Sequence, residues 1–277
     1  MKSKLRSLAT VICALIFSNV SAQNLNIEGT WRLVSQKTYN ADGSYVSRDS
    51  TNVYQIKVYT PTTFVNVTEM KVPDEDNQLL VRSFAGGKYA INGDTYEEFT
   101  EFASWKNPRG LKVNMKINQE NGKLHMVGMV EGTDGWKAKF DEWYSKVDVP
   151  EQSKELTGTW KMVSQRVDNP DGSVFNADST NRTMHKMFTN GMVVVYREQV
   201  VPQADNQKLV VSVGGGRYTL KDGVYAELIS FASYKGFEKM QSKFNLTIEG
   251  NKLHTVGSFT EPNGIVATYD EWFEKVN

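Results

Sequence analysis

Cysteine, histidine and proline are rare in this sequence. Among 277 residues it has one cysteine, three histidines and seven prolines. The cysteine, Cys13, falls within the first 22 residues, so the remainder of the chain has no thiol. Disulfides, cysteine nucleophiles and cysteine-ligated zinc are therefore excluded from that remainder. Its core must be large enough to keep the fold without covalent cross-links.

Long apolar runs are also missing. The main apolar stretch, residues 8–17, covers about ten residues, whereas a transmembrane helix needs about twenty. Lys2, Lys4 and Arg6 precede this stretch, and the small residues of Val20-Ser21-Ala22 follow it. This order is typical of a cleaved signal peptide, which we predict at residues 1–22. We expect an exported protein, periplasmic or secreted, without a transmembrane segment.

An excess of one charge is absent as well. The chain has 32 basic and 32 acidic residues, and without the three N-terminal cations the balance is 29 against 32. Nucleic-acid binding is not expected from such a composition. With three histidines and no mature cysteine, a transition-metal or haem site is not expected either. Phosphate-loop and hydrolase motifs are missing, so the sequence predicts no cofactor.

What is present is one unit written twice, at an offset of 129 residues. The segment 27–36 returns as 156–165, which places Trp160 at the position of Trp31. This repetition predicts two domains, at residues 27–147 and 156–277, joined by a polar linker at 148–155. Each unit is too long for a solenoid repeat and long enough to have its own core.

Short segments of alternating polarity fill each unit, separated by turns such as Asn92-Gly93 and Asp222-Gly223. Such turns between alternating runs are typical of β-hairpins, and no segment shows a capped helical period. We expect about eight antiparallel strands per unit, closed into a barrel that leaves no free edge. Residues 36–52 predict a short hairpin or a single helical turn. Gly86-Gly87 interrupts two strand-like segments, 79–84 and 88–91, and predicts a bulge or close strand approach.

Several motifs in each unit resemble a known family. They are Gly29-Thr30-Trp31 at the first strand, the run 87–98, Gly122-Lys123-Leu124, and the ending 141–147. Together they resemble the lipocalin-like domains of exported bacterial proteins of the DUF4488 type. The resemblance implies two tandem lipocalin-like β-barrels, in which the Trp closes one barrel end. A lipocalin packs that Trp on an Arg of the last strand, and here Lys146 and Lys275 take the matching place.

One face of a single strand carries the candidate ligand-binding residues. On the segment 95–105, every second residue is aromatic, carboxylic or hydroxylic, and the second unit repeats the pattern except at Ile229. A ligand cavity is mostly apolar with a few placed polar groups, as this face is. The alternative is that the Glu lies at a barrel rim or pairs with a neighbouring Lys or Tyr. The candidates on this face are Tyr96, Glu98, Phe102, Tyr225, Glu227 and Phe231.

A histidine occurs at matching positions in both units, as His125 and His254. Each is a candidate for a polar contact in the cavity, or for a general base acting with the Glu. The alternative is a histidine that is only hydrogen-bonded within the fold. His185 has no counterpart, because Ile56 stands at its place.

Two polar blocks are also shared, 49–52 and 76–78, with counterparts at 178–181 and 205–207. Neither has the spacing of a calcium loop, so we expect Asx and Ser/Thr side chains that fix turns.

Three functions remain open from the sequence. The first is an exported, non-catalytic binder of small, largely apolar or amphipathic molecules inside the barrels. The second is a cell-envelope interaction or structural module with filled barrels, in which the tandem supplies avidity. The third is an enzyme that uses Glu98 with His125, which requires the two side chains to approach within about 3 Å, directly or through a water.

Overall fold

The computed structural model describes residues 25–40 and 42–276. The predicted signal peptide lies outside these residues. Within them, each repeat forms one nine-stranded antiparallel sheet, and the two sheets follow one another along the chain. The all-β prediction of two tandem antiparallel barrels is confirmed.

The strands of the first repeat are β1 Gly29–Tyr39, β2 Tyr45–Asp49, β3 Tyr54–Tyr59, β4 Thr63–Val72, β5 Gln78–Asn92, β6 Thr95–Ala103, β7 Lys112–Glu120, β8 Lys123–Glu131 and β9 Lys137–Lys146. Those of the second repeat are β10 Gly158–Asp168, β11 Val174–Asp178, β12 Thr183–Phe188, β13 Met192–Val201, β14 Gln207–Lys221, β15 Val224–Ala232, β16 Gln241–Glu249, β17 Lys252–Thr260 and β18 Val266–Val276. Short 3-10 turns at Pro73–Glu75 and Pro202–Ala204 precede β5 and β14.

The first and last strands of each repeat pair with each other, which closes the barrel. β1 pairs with β9, and β10 pairs with β18. The ninth strand, β2, pairs only with the second half of β1, beyond the part that pairs with β3. The second half of β1 and β2 therefore form the predicted hairpin, and eight strands form the barrel wall.

β5 is one continuous strand, although the sequence predicts two segments on either side of Gly86-Gly87. The pairing with β6 shifts by one residue between these glycines, as a β-bulge does, and then continues. A Cβ added at Gly87 would lie 2.0 Å from the carbonyl oxygen of Phe99. The glycine therefore allows a close strand approach, as predicted.

A buried tryptophan closes the same end of each barrel. Trp31 and Trp160 are 1% and 0% exposed, and their indole N–H groups donate to the carbonyls of Ile27 and Leu156. Lys146 Nζ lies 5.6 Å from the Trp31 ring centre, and the counterpart distance from Lys275 is 5.2 Å. The ammonium thus makes the cation–π contact that the resemblance implies for this position.

The two barrels share an apolar core formed by the outer faces of equivalent strands. From the first barrel come Val58, Val65, Val67, Val81 and Phe84, and from the second Met187, Met192, Val194, Tyr196, Val210, Val213 and Phe231. Most members occur at matching repeat positions, such as Val65 with Val194 and Val81 with Val210. The contact is therefore isologous, as in a two-fold symmetric dimer.

Ion pairs at the edge of this core show the same reciprocity. Lys235 donates to Asp76, and Lys106 donates to Asp205 at 3.0 Å. Because Asp205 is the repeat counterpart of Asp76, and Lys235 that of Lys106, each barrel gives the other the same pair.

The linker breaks this symmetry. Val149 packs against the shared core, and the Asp148 carbonyl accepts from Arg217 at 3.4 Å. The segment 148–152 therefore covers one side of the junction, next to Gly191. A cleft of 990 Å³ remains between the barrels, lined at one end by Thr63, Lys88 and Val276.

Candidate functional site

The interior of the first barrel contains a buried ion-pair cluster centred on Lys57. Its ammonium donates to Glu98 at 2.8 Å and lies 3.8 Å from Glu142. Gln36 donates to Glu142 at 2.6 Å, and the Tyr96 hydroxyl donates to Glu98 at 2.8 Å. All five side chains are at least nine-tenths buried. The structure thus pairs Glu98 with a Lys and a Tyr, which is the alternative that the sequence left open for this residue.

The charges of this cluster are fixed by its surroundings. Burial is the largest single influence on Lys57 and lowers its pKa, but Glu98, Tyr59, Tyr144 and Glu142 together outweigh it and raise that pKa well above its usual value. Burial, followed by the Glu98 charge, raises the pKa of the Tyr96 phenol well above its usual value. Lys57 therefore stays charged and Tyr96 stays a neutral donor across the ordinary pH range.

The second barrel repeats the cluster with looser contacts. Lys186 donates to Glu271 at 3.0 Å, but its ammonium lies 4.0 Å from Glu227. Gln165 donates to Glu271 at 2.5 Å, and the Tyr225 hydroxyl donates to Glu227. Glu227 therefore lacks the direct hydrogen bond from lysine that Glu98 has in the first barrel.

A cavity of 230 Å³ lies beside this second cluster. Its lining comes from several strands of the second barrel and includes Lys186, which pairs in register with Trp160. Aromatic rings form much of its wall: Phe237, Phe244, Phe259 and Tyr269. Lys186, Glu227 and Glu271 also line it, so the shared charged cluster borders open space here.

Two polar atoms in the cavity wall have no hydrogen-bond partner within the described part of the chain. They are Ser242 Oγ, on a side chain that is 3% exposed, and Arg182 Nε. Buried polar atoms are paired in the great majority of cases, so two unpaired atoms on residues that line one cavity require an explanation.

The first barrel has different side chains at several of these positions. Val53 stands at the place of Arg182, Thr68 at that of Arg197, and Val113 at that of Ser242. The opening that reaches Glu98 lies in the barrel wall between β6 and β7, with a volume of 470 Å³. Sequence reasoning missed this contrast, although comparing the two copies position by position would have found it.

The structure does not bring the predicted phenylalanines together with the tyrosine and glutamate. Tyr96, Glu98, Tyr225 and Glu227 face the barrel interiors. Phe102 instead stacks on Tyr196 of the second barrel at 4.7 Å, and Phe231 lies in the core between the barrels. The bulges at Gly86-Gly87 and Gly215-Gly216 cause this, because each adds one residue to β6 or β15 and reverses its alternation.

His125 and His254 lie on the outer faces of their barrels. Each ring stacks on a tryptophan of the neighbouring strand, Trp143 at 3.9 Å or Trp272 at 4.0 Å. Each Nε2 is within hydrogen-bond distance of an aspartate, 2.9 Å from Asp141 for His125. Leu124 and Met126, on either side of His125, are core residues, so His125 and Glu98 lie on opposite faces of the wall. The direct approach that an enzyme would need is not present.

The polar blocks form turns and barrel contacts. Asp49 accepts hydrogen bonds from the backbone N–H and the hydroxyl of Thr51, which makes an Asx turn. Asp76 and Asn77 adopt left-handed conformations with φ of 55° and 56°, which asparagine and aspartate tolerate. The turn prediction is confirmed, and Asp76 additionally pairs with the other barrel.

His185 lies in the cleft between the barrels, against Tyr196 at 4.9 Å. Burial, and then the nearby Lys208 and Lys161, lower the pKa of this imidazole to about 4. Glu198 faces it at 3.9 Å but does not reverse the shift. His185 is therefore neutral in the folded protein at pH values where the unfolded chain would protonate it.

Acidification from pH 7 to 5 should therefore destabilise the protein through this residue by about 2 kcal/mol. The unfolded state binds the extra proton below pH 6.5, and the folded state does so only below about 4. His185→Ile should remove this part of the pH dependence, and Ile56 shows that the repeat accepts isoleucine there. Urea unfolding at both pH values measures it. An unchanged pH dependence in the variant would contradict the assignment.

The described residues contain neither a metal-binding cluster nor a membrane-spanning helix. Within residues 25–40 and 42–276, no three His, Cys, Asp or Glu side chains are grouped in a way that could hold a metal ion. No helix of that same portion has the length and apolar character needed to cross a membrane.

Comparison with known proteins gives structural similarity only. No family model matches the chain, and no curated protein matches it. Among solved structures, a DUF3598 protein of unknown function from Nostoc punctiforme is 9% identical with a TM-score of 0.25, covering 90% of this chain and 96% of its own. A provisionally assigned outer membrane protein from Bacteroides fragilis is 13% identical with a TM-score of 0.25, covering 92% and 99%. A provisionally assigned AttH from Nitrosomonas europaea is 9% identical with a TM-score of 0.21, covering 97% and 100%. Scores this low carry no argument, and the fold rests on the strand pairing of this chain.

Proposed function

We propose that this protein is an exported, non-catalytic binder of small, largely apolar molecules, and that the second barrel is its binding site. The lipocalin-like motifs of the DUF4488 type and the N-terminal signal pattern support the class and the location. The observation that carries the proposal is the 230 Å³ cavity with its aromatic wall and two unpartnered polar atoms. An apolar cavity with few placed polar groups is the usual form of a small-molecule site.

The cavity also limits the ligand. Drug-sized ligands occupy pockets of about 300–1,000 Å³, so the ligand proposed here is smaller. Its body packs against Phe237, Phe244 and Phe259, and its polar end accepts a hydrogen bond from Arg182 or Ser242.

The filled-barrel alternative is favoured by one observation. The ion-pair cluster is shared by both barrels and occupies interior space in each. In that case the clusters would only fix the fold, and the protein would act through its surface. The blocks at 76–78 and 205–207 do not favour a separate partner, because their aspartates already pair with the opposite barrel.

Binding of benzyl alcohol, a small aromatic molecule with one hydrogen-bond acceptor, tests the proposal by calorimetry. Wild-type protein should bind it, and Ser242→Leu should weaken binding at least tenfold, because the larger side chain fills the cavity. The matched control is Val113→Leu at the same position of the first barrel, which should leave binding unchanged. Circular dichroism confirms that both variants are folded. Equal binding by wild type and Ser242→Leu would reject the second barrel as the site.

A further inference from the structure

The charges that line the cavity of the second barrel do not balance. Three cations line it, Arg182, Lys186 and Arg197, against two carboxylates, Glu227 and Glu271. The carboxylates lie beside Lys186, at 3.0 Å for Glu271 and 4.0 Å for Glu227. Neither arginine forms an ion pair with a carboxylate in the portion of the chain that the structure describes. The lining is therefore one negative charge short.

The two arginines are close enough to repel each other. Burial lowers the pKa of Arg182, and the charge of Arg197 lowers it further. Arg182 Nη1 donates to Gln165 at 2.7 Å, and Arg197 Nη1 reaches Gln199 at 3.4 Å. These direct partners are neutral, and the more distant Glu271 only partly offsets the charge of Arg182, whose pKa stays lowered. Arg182 Nε has no partner among the described residues. Like charges in a partly buried site cost free energy unless an anion joins them.

The first barrel provides an internal comparison. It keeps the lysine and both glutamates, as Lys57, Glu98 and Glu142, but has Val53 and Thr68 in place of the arginines. The shared residues are thus sufficient for the barrel cluster, and the fold does not require the arginines. Their presence in one copy alone indicates a role specific to the cavity of that copy.

We infer that the second barrel binds a small monocarboxylate with an apolar, preferably aromatic, body, whose carboxylate lies between Arg182 and Arg197. This inference rests on the proposed function, since it names the ligand class of the same site. A carboxylate supplies the one missing charge and accepts from the free Nε, and guanidinium groups bind it in a planar, two-point manner. The aromatic wall then covers the body of the ligand.

Three probes test the inference by calorimetry: phenylacetate, its neutral amide phenylacetamide, and inorganic phosphate. Phenylacetate should bind at least tenfold more tightly than phenylacetamide, because hydrogen bonds to charged groups are the stronger ones. Phosphate alone lacks the apolar body and should bind more weakly than phenylacetate.

Variants taken from the other copy provide the structural control. Arg182→Val and Arg197→Thr install the residues of the first barrel, and each should remove the preference for phenylacetate over the amide. Arg82→Thr, at an exposed arginine of the first barrel, should keep it. Equal binding of phenylacetate and amide would overturn the carboxylate assignment and leave the proposed function intact. Phosphate binding as tight as phenylacetate would replace it with an inorganic oxyanion site. If the wild-type protein binds none of phenylacetate, phenylacetamide and benzyl alcohol, both the carboxylate assignment and the proposed function are rejected.

Discussion

Replacement of Lys186 by methionine is expected to destabilise the second barrel by about 3–5 kcal/mol. The ammonium is buried and pairs with Glu271 at 3.0 Å, with Glu227 next to it. Methionine fills a similar volume but removes the only cation within 4 Å of either carboxylate among the described residues. Urea-induced unfolding at pH 7 measures the loss.

Lys116→Met is the matched control, because its pair with Asp94 is exposed on both sides. Exposed pairs of this kind contribute about 0–1 kcal/mol. A loss below about 1 kcal/mol for Lys186→Met would show that water reaches the cluster and that the barrel end is open to solvent.

Gly216→Ala is expected to destabilise the second barrel by about 3 kcal/mol or more. A Cβ at this position would lie 1.9 Å from the carbonyl oxygen of Leu228 and 2.8 Å from the backbone nitrogen of Ser230. Both contacts are with backbone of the paired strand β15, which cannot rotate away as a side chain can. The bulge between Gly215 and Gly216 would have to open.

Gly214→Ala, two residues earlier in the same glycine run, is the control. Its added Cβ would have its nearest neighbour at 3.8 Å, an ordinary van der Waals distance. The first repeat already has Ala85 at this position, whereas Gly87 matches Gly216. Thermal unfolding should separate the two variants clearly. Similar melting temperatures would mean that the bulge adjusts without strain.

Much of the fold could be predicted from the sequence, because local signals and the repeat agree. The Asn-Gly and Asp-Gly turns and the alternation of polarity predict the hairpins, and the repeat predicts that two similar domains follow each other. The continuity of β5 could not be predicted, because glycines are equally typical of a break. Only the pairing with β6 shows that β5 continues through Gly86 and Gly87, opposite a bulge in β6.

The candidate site was predicted in part. Alternation along β6 places Tyr96 and Glu98 on one face, and the structure directs both into the barrel. The same alternation fails at Phe102, because the bulge in β6 lies between Glu98 and Phe102. Lys57 could not be identified from the sequence as the partner of Glu98, because the two are on β3 and β6 and meet only across the closed barrel.

The isologous contact between the barrels has a consequence for how the two halves can differ. In a dimer of identical subunits, every substitution appears twice, so a residue pair such as Arg182 and Arg197 would enter both interiors. Joining the halves through the segment 148–155 makes their association independent of concentration, since neither half can diffuse away on dilution. It also allows one half to keep an interior suited to stability while the other changes its lining. The chain is thus a covalently joined pair of homologous barrels whose interiors differ.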